Sequence, residues 1–112
     1  MRSIKLIGLL CLIAILSCEH FLDLEEDVPQ CIHDKIKGFS HAPFLSDSAN
    51  VKRYQYQGII VYVFDYGNCY NCVKAIYDEQ CDNLCTLEHG EHECNGQLFY
   101  EKATDETLIW EP

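Results

Sequence analysis

Six cysteines, Cys31, Cys69, Cys72, Cys81, Cys85 and Cys94, fall between positions 31 and 94 of this 112-residue chain, and nothing else in it constrains the fold as strongly. A domain of this size has one limited core, so covalent cross-links supply a large share of its stability wherever the compartment is oxidising. Six thiols allow up to three bridges in fifteen connectivities, and spacing does not choose among them.

The N-terminus speaks to the compartment. Met1-Arg2-Ser3-Ile4-Lys5 is followed by an apolar stretch from Leu6 to Leu16, the charged n-region and short h-region of a secretory signal. Its eleven residues fall well short of the roughly 20 that a spanning helix needs, so removal is expected rather than a permanent anchor. Ile15-Leu16-Ser17-Cys18 then resembles the lipobox of bacterial lipoproteins, an aliphatic residue and two small or apolar residues before the cysteine that is acylated. The resemblance implies a signal peptide over residues 1–17, lipid on Cys18, and a lipid-anchored place in the cell envelope, at the outer membrane and facing either the periplasm or the exterior. Stable anchoring needs more than one acyl chain, which the bacterial modification supplies. An ordinary signal-peptidase site would show an A-x-A pattern, and none is present. Cys11 leaves with the signal.

Without residues 1–17 the chain has 95 residues, with 6 basic against 18 acidic side chains, a net charge of about −12. Nucleic acid is thereby excluded as a partner, because phosphate backbones are held by clustered Lys and Arg, and Lys35, Lys37, Lys52, Arg53, Lys74 and Lys102 are scattered. The acidity reads as a solvated surface.

Residues 18–27 come next as the lipidated cysteine and an acidic tether, with five acids and no Lys or Arg in residues 19–27. Such acids resemble signals that send some lipoproteins to the cell surface, and they serve equally well as a spacer that like charges keep extended. Residues 28–112 form one small disulfide-rich domain. A helix is expected from Val28 to Phe39, with Asp27 as N-cap, Pro29 in the first turn and Gly38 near the end. Val28, Ile32, Ile36 and Phe39 share a face, and Cys31 beside that stripe is placed to tie the helix to a sheet. After a loop over residues 40–50 the period changes to two. Residues 51–56 and Ile59–Asp65 read as strands joined at Gln57-Gly58, the second apolar on both faces and therefore central. Val73–Asp78 and Leu84–Leu87 read as shorter strands around a turn near residues 80–83. Gln97–Glu101 and Thr107–Glu111 read as one more hairpin. The fold class is α+β: one N-terminal helix packed on a small, mainly antiparallel β-sheet of hairpins, stapled by disulfides.

Two constellations invite a chemical reading. The apolar strand Val61–Asp65 runs into Cys69-Tyr-Asn-Cys72, which resembles a thioredoxin active site, where a thiolate of lowered pKa sits at a helix N-terminus. The rest of the chain argues against it. A thioredoxin fold needs further strands, a helix and an active-site proline, whereas 40 residues come after Cys72 and the proline among them is Pro112. A zinc site could draw on Cys69-x-x-Cys72, Cys81-x-x-x-Cys85 and His89-x-x-His92-x-Cys94. Outside the cytoplasm those thiols oxidise, and the same spacing serves a disulfide ladder. His89 and His92 lie among Glu88, Glu91 and Glu93, most simply a solvated turn. Asp78-Glu79 and Asp105-Glu106 read as turns rather than as a catalytic carboxylate pair, since Asp stabilises turns through its own side chain. No nucleophile elbow or phosphate-cradling loop is visible. Tyr54, Tyr56, Tyr62, Phe64, Tyr100 and Trp110 could form a recognition face, or fill half-buried sheet positions.

Several stretches together resemble a family of small Gram-negative lipoproteins carrying a domain of unknown function: Pro29–Ile36, Val51–Tyr62, Ile76-Tyr77-Asp78 with Leu84-Cys85, and Leu108–Glu111. The resemblance supports address and architecture and supplies no activity. The family tends to be glycine-rich between Cys85 and Cys94, where this chain has Leu87–Glu93, and it carries a turn glycine at the place of Cys81. It implies that a bridge from Cys81 to Cys69 or Cys72 would be an addition here. The resulting expectation is a non-enzymatic binding or structural module, tethered to the membrane through Cys18, with no cofactor or metal and with an envelope protein or ligand as partner. The alternative is a thiol-disulfide or metal-dependent protein using Cys69 and Cys72.

Overall fold

The computed structural model describes residues 27–43 and 45–112. The expected signal peptide, the expected lipidation site Cys18 and the expected tether up to residue 26 lie outside the described residues.

The first described element is helix α1 (Gln30–Ser40), whose Ile32, Ile36 and Phe39 are buried, as the apolar stripe requires. It starts two residues later than the sequence suggests, and Asp27 does not cap it. Pro29 occupies the N-cap without a side-chain hydrogen bond, while the Asp27 carboxylate pairs with the Arg53 guanidinium at 3.0 Å. A cation on the sheet outcompetes the helix N–H groups for this acid.

Strands β1 (Asn50–Tyr56), β2 (Ile59–Asp65), β3 (Lys74–Asp78), β4 (Asn83–Leu87) and, at the end of the chain, β7 (Thr104–Trp110) build one sheet in the order β4-β3-β2-β1-β7. Every neighbouring pair is antiparallel. The β1–β2 turn is Gln57-Gly58, with φ of 51° and 81°, the two positive values that a two-residue hairpin needs. At the β3–β4 turn the Asp78 carboxylate accepts the N–H groups of Gln80 and Asp82, at 2.9 and 3.0 Å, so this aspartate holds the turn with its own side chain.

Strand β2 lies at the centre, and its alternation divides the core in two. Tyr62 and Phe64 face α1 and join Ile32, Ile36, Phe39, Val51, Ala75 and Ile109. Val61 and Val63 face the other way and join Tyr54, Tyr56, Ile76, Leu87, Cys94 and Phe99. This second face is covered by a small hairpin, β5 (Glu93–Cys94) with β6 (Gln97–Leu98), and by the single-turn helix α2 (Phe99–Lys102). Phe99 is fully buried and packs its ring against those of Tyr54 and Tyr56, with centroids 5.3 and 4.7 Å away. The hydroxyl of the buried Tyr56 donates to the carbonyls of Cys94 and Gln97, which satisfies it and fastens the hairpin.

The C-terminal hairpin expected from the sequence does not form. Gln97-Leu98 pairs with Glu93-Cys94 around Asn95-Gly96, whose φ values of 53° and 86° are those of a tight hairpin turn. The last strand pairs with β1 instead. Asp105-Glu106 therefore lies inside β7 and not at a turn. Asp105 takes a positive φ of 57°, next to a register shift between Arg53 and Gln55 that marks a bulge.

Candidate functional site: the Cys69–Cys72 loop and its cleft

All six described cysteines are bridged, as Cys31–Cys81, Cys69–Cys72 and Cys85–Cys94. The first ties α1 to the β3–β4 turn and closes 50 residues of chain. The third ties β4 to β5 on the opposite face, with a separation of 9 residues. Cys81 therefore bonds neither Cys69 nor Cys72, contrary to the pairing that the family resemblance suggested. Its turn sits against the helix, where Cys31 is the thiol within reach at a Cα–Cα distance of 6.2 Å.

The remaining pair is different in kind. Cys69 and Cys72 are three residues apart in the connection between β2 and β3 and bond to one another. The chain continues from Cys72 into strand β3 and not into a helix, so the motif does not open a helix and the thioredoxin likeness ends there. The connection is held firmly at its root. Tyr66 N–H donates to Val73 O at 3.0 Å, Gly67 N–H to the Asp65 carboxylate at 2.9 Å and Asn68 N–H to the Ser48 hydroxyl at 3.1 Å. Gly67 has φ of 114°, and a Cβ added there would meet Ser46 Cβ and lie 2.9 Å from Ser48 Oγ, so only glycine allows the loop to seat on that turn. At the tip Cys72 N–H donates to Cys69 O at 3.1 Å, closing a turn inside the disulfide ring.

This closure drives Tyr70 outward. It is 82% exposed, the most exposed large hydrophobic side chain among the described residues, and its ring lies against that of His89, with centroids 5.6 Å apart. A cleft of about 650 Å3 opens here, lined by both cysteines together with Lys74, His89, His92 and Tyr100. A second cleft of about 360 Å3 shares Tyr70, Cys72 and His89 with it. The Lys74 ammonium sits 4.7 Å from the Tyr100 ring centroid and 3.9 Å from the Asp65 carboxylate, so one cation is fixed on the cleft wall.

The structure separates residues that the sequence allowed to be together. Cys81 lies against the helix and Cys85 on the opposite face of the sheet, away from the loop. Among the described residues no three His, Cys, Asp or Glu side chains converge as a metal site would require. The aromatic recognition face does not form either. Tyr54, Tyr56, Tyr62 and Phe64 are core residues, 5% exposed or less, and the phenols of the three tyrosines are engaged within the fold. Burial pushes all three phenols up, and the Glu106 carboxylate, accepting from the Tyr54 hydroxyl at 2.7 Å, pushes that one further. Among the described residues the exposed tyrosine and phenylalanine rings are Tyr70 and Tyr100, and both line the cleft. Tyr70 carries no motif that marks it in the sequence by itself. Its exposure follows from the Cys69–Cys72 bridge, which the sequence leaves open among fifteen connectivities.

Fold and site together define a small, disulfide-stapled α+β domain of five sheet strands with a covering hairpin. The chain belongs to a family described as a domain of unknown function, DUF6970, whose model matches residues 37–112. The match runs from the end of α1 through the whole sheet, and Cys31 precedes it. Comparison with curated proteins and with solved structures returns no match.

Proposed function

We propose that this protein is a lipoprotein of the Gram-negative cell envelope, anchored at the outer membrane through lipid on Cys18 and presenting its stapled domain as a non-enzymatic binding or structural module. The observation that carries the reading is the complete pairing of the six described cysteines. Bridges of this kind persist in oxidising compartments and are reduced in the cytosol, so the domain chemistry agrees with the export signal at the other end of the chain. The open cleft beside Tyr70 is the surface on which a partner would be met, because an exposed tyrosine on a rigid loop offers large contact area at small entropic cost.

Metabolic labelling with an alkyne-bearing palmitate, together with membrane fractionation, tests the anchor. The wild-type chain should carry label and sediment with membranes, and Cys18→Ser should lose the label and fail to be processed at that position. A labelled Cys18→Ser variant, or an unlabelled wild-type chain found free of membranes, defeats the reading.

A further inference from the structure

We propose that the Cys69–Cys72 disulfide is a thiol-exchange site: a ligand carrying a cysteine-type thiol enters the cleft, attacks Cys69 Sγ and is held as a mixed disulfide. The inference does not depend on lipidation at Cys18 and holds for a module that turns nothing over.

Access and stability point to the same bridge. Among the six described cysteines, Cys69 is the one that is exposed; Cys94 is fully buried and the other four are partly covered. An attacking thiolate must approach a sulfur, and Cys69 is both solvent-exposed and on the wall of the cleft. Cys72 lies deeper, with its sulfur 3.5 Å from the Tyr66 carbonyl oxygen. That contact has no function in the disulfide, which carries no proton, but it becomes a hydrogen bond once Cys72 is a thiol. Attack on Cys69 thus expels a sulfur whose protonated form already has an acceptor.

The reaction balances without any further reagent. The ligand thiol loses its proton and forms a bond from its sulfur to Cys69 Sγ, the Cys69–Cys72 bond breaks, and Cys72 leaves as a thiolate that takes up the proton. Where the ligand is a dithiol, its second sulfur attacks the first and releases Cys69 as a thiol. The ligand is then oxidised to a disulfide and the protein pair reduced to two thiols.

The fold protects this bridge least. A disulfide stabilises the folded state more when it closes a longer loop, and by linkage the folded state protects that disulfide from reduction to the same degree. The loop closed here has a separation of 3 residues, against 50 and 9 for the others. Its root is held by Tyr66, Gly67, Asn68, Asp65 and Ser48 independently of the sulfurs, so the site survives opening and can close again.

The test uses the full chain, exported with its own N-terminal segment and purified in detergent. Aliquots receive increasing concentrations of reduced glutathione or of a short single-cysteine peptide, and are then acid-quenched, alkylated and mapped by mass spectrometry, with circular dichroism recorded in parallel. The Cys69–Cys72 pair should open, with the thiol adduct on Cys69, at about fivefold lower thiol than Cys85–Cys94 and about thirtyfold lower than Cys31–Cys81, and the spectrum should not change. A stronger response to the peptide identifies a polypeptide thiol as the ligand, and an equal response identifies a small one. In a second arm, Cys72→Ser should form a mixed disulfide with glutathione disulfide about tenfold faster than Cys69→Ser does. Simultaneous opening of all three bridges, an adduct on Cys72, or equal rates for the two variants would overturn the proposal.

Discussion

The two edges of the sheet are fastened by different chemistry. At the β4 edge the fastening is covalent: Cys81 in the β3–β4 turn is bonded to α1 and Cys85 in β4 to β5. At the β7 edge, among the described residues, it is polar and aromatic. The Glu106 carboxylate accepts from the Tyr54 hydroxyl at 2.7 Å and from Lys52 Nζ at 3.3 Å, and Trp110 meets the Phe39 ring edge-on at 5.7 Å. The difference follows length. Strand β4 has five residues and meets β3 with a bulge at Ile76/Tyr77, so its short ladder holds it weakly, and the bridges offset that. Strand β7 is irregular too, with two register shifts against β1, but its seven residues make a longer strand.

The sharpest way to break this contrast is to remove the staples one pair at a time. Replacing both Cys31 and Cys81 by Ser removes the longest closed loop and should cost about 4 kcal/mol. Replacing Cys85 and Cys94 should cost about 3 kcal/mol from loop closure, with a polar penalty added because Cys94 is fully buried. Replacing Cys69 and Cys72 should cost about 2 kcal/mol or less. Urea unfolding of the three double variants checks the order, and a largest loss from the Cys69/Cys72 variant would contradict the division into staples and an exchangeable bridge. Hydrogen exchange sharpens the result: with Cys85–Cys94 removed, amides of β4 should lose protection before those of β7.

Gly67→Ala addresses the root of the exposed loop rather than its bridge. The added methyl would collide with the Ser46–Ser48 turn in a backbone region that disfavours L side chains, so a loss of about 1 to 3 kcal/mol is expected, with faster exchange of the Asn68 amide. An unchanged melting curve would mean that the loop can lift away from that turn, and the cleft would then be less rigid than its hydrogen bonds imply.

How far the sequence discloses this architecture depends on whether the deciding interaction is local. The Gln57-Gly58 turn, the central position of Ile59–Asp65 and the strand–turn–strand around Asp78 are all legible, because period, apolar run and turn chemistry are written within a few residues. The partner of β7 is not. Thr104–Trp110 pairs with Asn50–Tyr56, about half the chain away, and adjacency suggests Gln97–Glu101 instead. Asn95-Gly96, a strong hairpin signal, marks the true turn of that region. Asp105 misleads for a physical reason: a side chain that tolerates positive φ suits a bulge as well as a turn. The bridges are legible as a number and not as a pattern, since the choice of Cys31 for Cys81 is made only when α1 packs on the sheet. At the candidate site the Cys69–Cys72 loop and the adjoining Lys74 are visible at once, whereas their companions His89 and Tyr100 come from two other segments brought together by the fold.

At the polar edge, Tyr54→Phe should cost about 1 kcal/mol, because Glu106 loses its best donor while the ring keeps its place against Phe99. Removing this hydroxyl should leave all three disulfides and the behaviour of β4 untouched. Increased exchange confined to β7 and β1 is the expected signature, and a response that reaches β4 would show the two edges to be coupled.

The smallest effect is the one that pH reveals. The Tyr54 hydroxyl, and after it Lys52, hold the Glu106 carboxyl below the usual carboxylate range. A group whose folded pKa is depressed contributes stability that is present above its unfolded value, about 4.3, and is lost as pH falls through the folded one. Because this side chain is more than half exposed, solvent screens the pair and its contribution is about 0.2 to 1 kcal/mol at neutral pH. Glu106→Gln should therefore lower stability slightly at pH 7 and leave it unchanged near pH 2, where the wild-type carboxylate is already protonated. Tyr54 works in the opposite direction, since burial first and then Glu106 raise its phenol far above the ordinary value; its stabilisation is complete below about pH 10 and is lost as pH rises beyond it. The β7 edge thus weakens at both extremes, while the covalent ties at β4 carry no such proton linkage. Acid unfolding should accordingly begin with loss of protection in β7, and a first loss in β4 with its bridges intact would reverse the assignment of the weaker edge.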